Sequence, residues 1–160
     1  MKLWLLRHAA AQATAPSGRD EDRRLSPAGR RVCHDLHAWI RNYRGTWPRT
    51  VLVSPAQRTT ETARLVLDRL EIPQPEPASR LWLASAGELV ELITRSSQSP
   101  DPLLLIGHNP GLEDLVAWLC GRRLVPGMKP GTLVVVDTSL PLHPGCGEIE
   151  VRFQPDSESR

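Results

Sequence analysis

MKLWLLRHAA, residues 1–10, is an apolar run from Leu3 to Leu6 that stops abruptly at a cation and an imidazole, Arg7 and His8. A continuous run of that length reads as a short buried strand. The same design recurs twice. VLVSP, Val51 to Pro55, is followed by AQRTTETA, which puts Arg58 in the first turn of a helix. LLLIGHNP, Leu103 to Pro110, sets His108 and Asn109 just past another apolar strand and just before another helix. In an open α/β sheet, ligands bind outside the carboxyl ends of the parallel strands. Parallel pairing of these three runs therefore predicts two arginines and two histidines at one edge of one sheet.

The remaining chain supplies the layers around that sheet. Ala9 to Arg24 is a polar loop over the same edge, and Ser26-Pro27 is an N-cap followed by a first-turn proline. Val32, Leu36, Trp39, Ile40 and Tyr43 then share a helical face. Ala63, Val66, Leu67 and Leu70 predict a second helix running from Ala56 to just before Pro73. Residues 73–80 read as a proline-punctuated connection, and Leu81 to Leu83 as a weak strand or turn. Leu89, Leu92 and Ile93 mark a third helix, and Leu112, Leu115, Val116 and Leu119 a fourth. TLVVVD (132–137) and EIEVRF (148–153) are separated by a Pro/Gly-rich loop and predict a closing antiparallel pair, the second strand at an edge with one wet face. No repeat or linker divides the chain, so residues 1–153 are expected to form a single α/β domain, with a polar tail at 154–160.

Composition excludes several classes. A net charge of +2 is too small to imply a nucleic-acid or membrane partner. Eighteen of the twenty basic residues are arginine, so only position gives any one of them meaning. The three cysteines, Cys33, Cys120 and Cys146, are far apart and form no C-x-x-C pair, which fits a reducing compartment. The amino-terminal apolar run is broken too early for a signal peptide, and no run reaches membrane-spanning length. A cytoplasmic protein is expected. His34 and His37 have a spacing that can bind metal, but no further ligands cluster with them, and His143 falls in a loop.

Two guanidiniums beside two imidazoles make a cationic cup with no carboxylate fixed among them. Planar arginine forks match phosphate oxygens bidentately, so the expected guest is a phosphoryl group. The helix amino termini after Pro55 and Pro110 would add backbone N–H groups. Nearby cations disfavour protonation of an imidazole and leave it a neutral nucleophile at pH 7. One histidine could then attack phosphorus while the other three groups stabilise the equatorial oxygens, and water would release phosphate. These residues alone leave open which histidine attacks.

LLRHAA, SPAQRTTETA and LLLIGHNP together resemble the three signatures of the histidine phosphatase, or phosphoglycerate mutase-like, superfamily. The short chain, DEDRRLSPAG (20–29) and the early LIGHNP resemble its SixA branch of phosphohistidine phosphatases. The resemblance implies a three-layer α/β fold, with a mostly parallel central sheet flanked by helices and an antiparallel edge. It further implies a metal-independent phosphatase without cofactors in which His8 becomes phosphorylated, while Arg7, Arg58 and His108, with Asn109 beside them, bind the substrate phosphate. The expected substrate is phosphohistidine in a signalling or phosphotransfer protein, within the wider class of phosphorylated proteins and small phosphorylated molecules, with phosphate as product. Alternatives are a phosphomonoesterase acting on a small metabolite and a non-catalytic phosphate-binding module.

Three departures from the family pattern stand out. Ala9 replaces a usual glycine, which would strain the backbone only at positive φ. Glu61 stands where glutamine is common, a change expected to matter little. The general acid that larger relatives carry after the third strand has no clear counterpart in RLWLASAGELVE (80–91), where Trp82 is near the expected position. Glu88 and Asp20 are the two candidate acids. Phosphohistidine leaves as imidazole and depends less on such an acid than an ester does, because an alkoxide leaving group gains about 10²–10⁴ in rate from one.

Overall fold

The computed structural model describes residues 1–96, 98 and 101–156. Its centre is a six-stranded sheet made of β1 (Lys2–Arg7), β2 (Thr50–Val53), β3 (Glu76–Pro77), β4 (Leu103–Gly107), β5 (Leu133–Thr138) and β6 (Gly147–Phe153), in the order β3-β2-β4-β1-β5-β6. β1 pairs parallel with β4, as does β2, while β5 and β6 close the sheet antiparallel. The fold is thus mixed and mostly parallel with an antiparallel edge, as the sequence predicts. The polar tail is described only to Asp156; residues 157–160 lie outside the described set.

Strand alternation divides the core into two layers. Leu3, Leu5, Leu103, Leu105, Val134 and Val136 face one side, where α3 (Ala86–Arg95) and α4 (Gly111–Cys120) cover them with Leu89, Ile93, Leu112, Leu115 and Val116. Trp4, Leu6, Leu104, Ile106, Leu133 and Val135 face the other, beneath α1 (Pro27–Asn42) and α2 (Gln57–Val66). Both faces of β1 and β4 are buried, which explains why their sequences are continuously apolar rather than alternating.

Register sets the strand ends flush. Leu6 lies opposite Ile106, and Ile106 opposite Val53, so the residues that follow each strand emerge on one edge. The helices are then fixed at that edge by local chemistry. Ser26 caps α1 by accepting from the Gly29 N–H at 3.0 Å, and a side-chain carbon at position 29 would overlap the Ala10 carbonyl. A side-chain carbon at Gly111 would likewise overlap the Ala84 carbonyl, so the start of α4 lies directly against the segment before α3.

Several boundaries differ from the sequence reading. The second helix stops at Val66 rather than near Ile72; Arg69 turns the chain at φ +53°, while Leu67 and Leu70 still pack on the core. The proline-rich connection contributes a two-residue edge strand, Glu76–Pro77, paired with Leu52 and Val53, a place where a missing N–H costs no ladder bond. Leu81 ends a 3₁₀ turn (Ser79–Leu81) instead of a strand, and Leu83 follows at φ +47°.

Candidate active site

Arg7 and His8 emerge from β1, and His8 is held at the strand end by its own N–H donating to the Gly107 carbonyl at 3.1 Å. Its ring is fixed as well. Nδ1 lies 2.8 Å from the Ala9 carbonyl, an acceptor only, so the proton sits on Nδ1 and Nε2 carries the lone pair. Arg58, in the first turn of α2 and only 3% exposed, donates from Nε to that Nε2 at 3.3 Å. The His108 ring stands edge-on to His8 at a centroid distance of 5.3 Å, and its Nδ1 is 3.5 Å from Arg58 Nη2. The Arg7 Nη1 donates to the Met128 carbonyl at 2.6 Å, while its buried Nε has no hydrogen-bond partner. The four predicted side chains do converge on one strand-end edge, and an orphaned guanidinium N–H among them is what an oxyanion site offers its guest.

A family model for the histidine phosphatase superfamily (branch 1) matches residues 3–101. The chain belongs to the histidine phosphatase superfamily. The matched region contains Arg7, His8 and Arg58, and the fold itself adds His108. Among solved structures, the protein histidine phosphatase SixA complexed with tungstate is similar at 25% identity and TM-score 0.77, over 96% of this chain and 97% of that one. A protein assigned as the phosphohistidine phosphatase SixA from Agrobacterium tumefaciens is similar at 27% identity and TM-score 0.80, over 96% and 98%. The α-ribazole phosphatase from Shigella flexneri shares the fold at 20% identity and TM-score 0.70, over 94% and 95%. No curated protein matches the chain.

Within this histidine phosphatase fold both imidazoles are neutral at physiological pH. Burial pulls His8 down to about 4; the hydrogen bond to the Ala9 carbonyl opposes it as the next largest influence, and the charges of Arg58, Arg7 and Arg23 each add a smaller downward pull. Burial and the neighbouring His8 and Arg58 pull His108 down to about 3. Desolvation, more than the neighbouring cations, keeps both rings neutral.

The sequence also predicts no carboxylate in the cup, and here the structure corrects it. Asp20 Oδ2 pairs with Arg58 Nη2 at 3.0 Å, its Oδ1 lies 3.2 Å from Arg23 Nε, and its backbone carbonyl accepts from Arg58 Nη1 at 2.8 Å. The Asp20 side chain is 51% exposed, so it sits at the rim, and three arginines still outweigh one carboxylate. Glu88 is placed elsewhere. It completes a capping box on α3, with Oε2 accepting from both the N–H and the hydroxyl of Ser85 at 2.8 Å. Those bonds hold its carboxyl below the usual range. Trp82 forms the wall, edge-on to His108 at 5.2 Å and with Arg58 Cζ over its ring at 5.3 Å.

Other residues were invisible to sequence reasoning. Ser54 Oγ lies 2.7 Å from His108 Nε2 and can donate or accept there, so it steadies either tautomer. Thr62 Oγ1 donates to the Arg58 carbonyl at 2.7 Å and accepts the Ala9 N–H at 3.1 Å, stitching α2 to the end of β1. Glu61, expected to matter little, is buried and accepts from the Leu25 N–H at 3.0 Å and from Arg30 at 3.2 Å. Ala9 is absent from the positive-φ residues, so the usual glycine is replaced without strain. Asn109 turns its Nδ2 towards Glu113 at 2.9 Å and the Met128 carbonyl at 3.2 Å. Among the described residues no three His, Cys, Asp or Glu side chains are grouped to hold a metal, His34 and His37 included, and no helix is long and apolar enough to cross a membrane.

Proposed function

We propose that the chain is a metal-independent phosphatase in which His8 is the nucleophile and a phosphohistidine-bearing signalling or phosphotransfer protein is the substrate. The observation that carries the reading is the His8 tautomer: Nδ1–H is tied to a carbonyl, and the Nε2 lone pair faces the Arg58 guanidinium. In the first step Nε2 attacks phosphorus as the substrate P–N bond breaks, and the departing imidazole nitrogen takes a proton relayed from solvent by Asp20. Arg7, Arg58 and His108 take the equatorial oxygens, beside Asn109. In the second step water attacks phosphorus and gives up a proton to solvent by the same route, the P–Nε2 bond breaks, and phosphate leaves.

Phosphohistidine is favoured over an ester by the acids at hand. Glu88 is committed to its helix cap, and Trp82 rather than a carboxyl packs on His108. Asp20, on the same Arg58 nitrogen that a phosphate oxygen would take, is the group we assign to yield to substrate and then face the leaving nitrogen. The likeness to two SixA proteins supports the same substrate class. The three free cysteines favour a reducing, cytoplasmic setting.

Incubation with a phosphohistidine protein and rapid quenching should trap acid-labile phosphate on His8, and none in His8→Ala. A phosphate-binding module would trap none in either protein. Faster turnover of aryl or sugar phosphates than of phosphohistidine would establish the phosphomonoesterase instead.

A further inference from the structure

Arg7 reaches the cup with one of its edges already spent. Nη1 donates to the Met128 carbonyl at 2.6 Å, which leaves the edge bearing the unpartnered Nε for an oxyanion. The direction of that edge is therefore set by the backbone of a single residue, Met128, in the loop between α4 and β5. Two contacts fix that backbone from the far side. Glu113 Oε2, in the first turn of α4, accepts the Met128 N–H at 2.8 Å. The same oxygen accepts Asn109 Nδ2 at 2.9 Å, and that amide nitrogen also reaches the Met128 carbonyl at 3.2 Å. A side-chain carbon at Gly127 would come within 2.6 Å of Glu113 Oε1, so glycine lets the carboxylate lie flat against the loop.

We propose that Glu113 is the positioning residue for Arg7: its carboxylate pins the Met128 backbone, at the N–H directly and at the carbonyl through Asn109 Nδ2, and that carbonyl aims the guanidinium at the bound phosphoryl group. The inference rests on the reading of the cup as an oxyanion site. It assigns Glu113 a hydrogen-bonding role, distinct from the ordinary one of an acidic residue favoured by a helix amino terminus. The two roles separate because the Glu113 charge works against anion binding. A negative charge behind Arg7 repels phosphate, whereas an orphaned Met128 N–H, with Asn109 Nδ2 released as well, loosens the Met128 backbone and shifts the carbonyl that holds the guanidinium.

The test is calorimetric binding of inorganic phosphate to the full chain, with kcat and KM for phosphohistidine measured alongside. Glu113→Ala should weaken phosphate binding roughly tenfold, the worth of one charge-assisted hydrogen bond, and raise KM correspondingly. Glu113→Gln should stay within about threefold of the parent or bind more tightly, because its amide oxygen can accept both N–H groups while the repelling charge is gone. If Glu113→Ala fails to fold, Glu113→Asp serves in its place: it keeps the charge but loses the reach, and should weaken binding as alanine would. Parent-like phosphate affinity in the folded Ala or Asp variant, or equal weakening by Gln, overturns the proposal. Arg7→Ala run in parallel separates the two levels of inference: if it too leaves phosphate affinity unchanged, the oxyanion reading of the cup fails rather than the role of Glu113.

Discussion

The floor of the cup and its rim are built by different means. On the floor, His8 and Ser54 are held by main-chain bonds that continue the ladder, His8 N–H to Gly107 at 3.1 Å and Ser54 N–H to Ile106 at 3.0 Å. At the rim, Asp20, Arg23, Trp82 and Leu83 belong to loops and turns, and side-chain contacts tie the first three to one another or to Arg58 and His108. Ladder-held groups keep their geometry when the ligand leaves, which is the preorganisation that transition-state stabilisation needs. Rim groups can exchange partners, which is what substrate entry needs. Substitutions on the two sides should therefore fail differently.

The largest effect is expected on the floor. Arg58→Ala removes a buried guanidinium that touches both imidazoles, and phosphatase turnover should fall on the order of 10³-fold or more, as when a preorganised donor is deleted. Steady-state kinetics on phosphohistidine checks this, and a loss below about tenfold would place the oxyanion elsewhere. Ser54→Ala should cost less. It leaves the buried His108 Nε2 without its partner at 2.7 Å, a penalty of about 1–3 kcal/mol that should appear in kcat with KM little changed.

Protonation tests the floor without mutation. His8 is held at about 4 in the fold and titrates near 6.5 when unfolded. The nucleophile thus stays neutral down to about pH 4, and the acid limb of kcat/KM should lie nearer 4 than 6.5. The stability effect has a definite sign. Below pH 6.5 the unfolded chain binds protons that the folded imidazoles refuse, so stability should fall from pH 6.5, with the His8 contribution levelling off near pH 4 and that of His108 near pH 3. Denaturant titrations across that window measure it. An acid limb at 6.5 would mean that His8 is solvated.

At the rim the expected change reverses direction. Asp20→Asn removes the anion competing for Arg58 Nη2, so inorganic phosphate should bind several-fold more tightly, by roughly the worth of one partly exposed ion pair. Looser binding in calorimetry would show that Asp20 orients Arg58 rather than competing for it.

The same division governs how much could be read from sequence. Apolar runs locate β1, β2 and β4, and the residues after each run are necessarily at the strand ends, so Arg7, His8 and His108 were legible along with the sheet that carries them. Ser54 follows β2 just as directly, but a serine beside a proline looks like any turn. At the rim Asp20 and Trp82 could be named as candidates, but not their contacts, because these join residues far apart, as Asp20 and Arg58 are, with no periodic signal between them. The end of α2 was misread because Leu67 and Leu70 keep helical spacing after Arg69 has turned the backbone. Glu113 escaped notice because an acidic residue in a first helical turn has an ordinary explanation.

Leu83 gives the smallest effect. It follows Trp82 at the rim, has φ +47°, and is 57% exposed, so it combines a left-handed backbone with an apolar side chain in water. Its neighbours hold it there, since Leu81 and Ala84 are both buried and the Ala84 carbonyl abuts Gly111. A non-glycine residue in that region costs about 1–2 kcal/mol, which Leu83→Gly would relieve. The glycine would give back about 0.4–1 kcal/mol by loosening the unfolded chain. The balance lies between zero and a gain of about 1.6 kcal/mol, visible as a melting temperature raised by a few degrees at most. On the floor no such gain is available, because every residue there is buried or bonded to the ladder. A melting temperature several degrees lower in Leu83→Gly would mean that its side chain contributes packing, and that the rim is as firmly built as the floor.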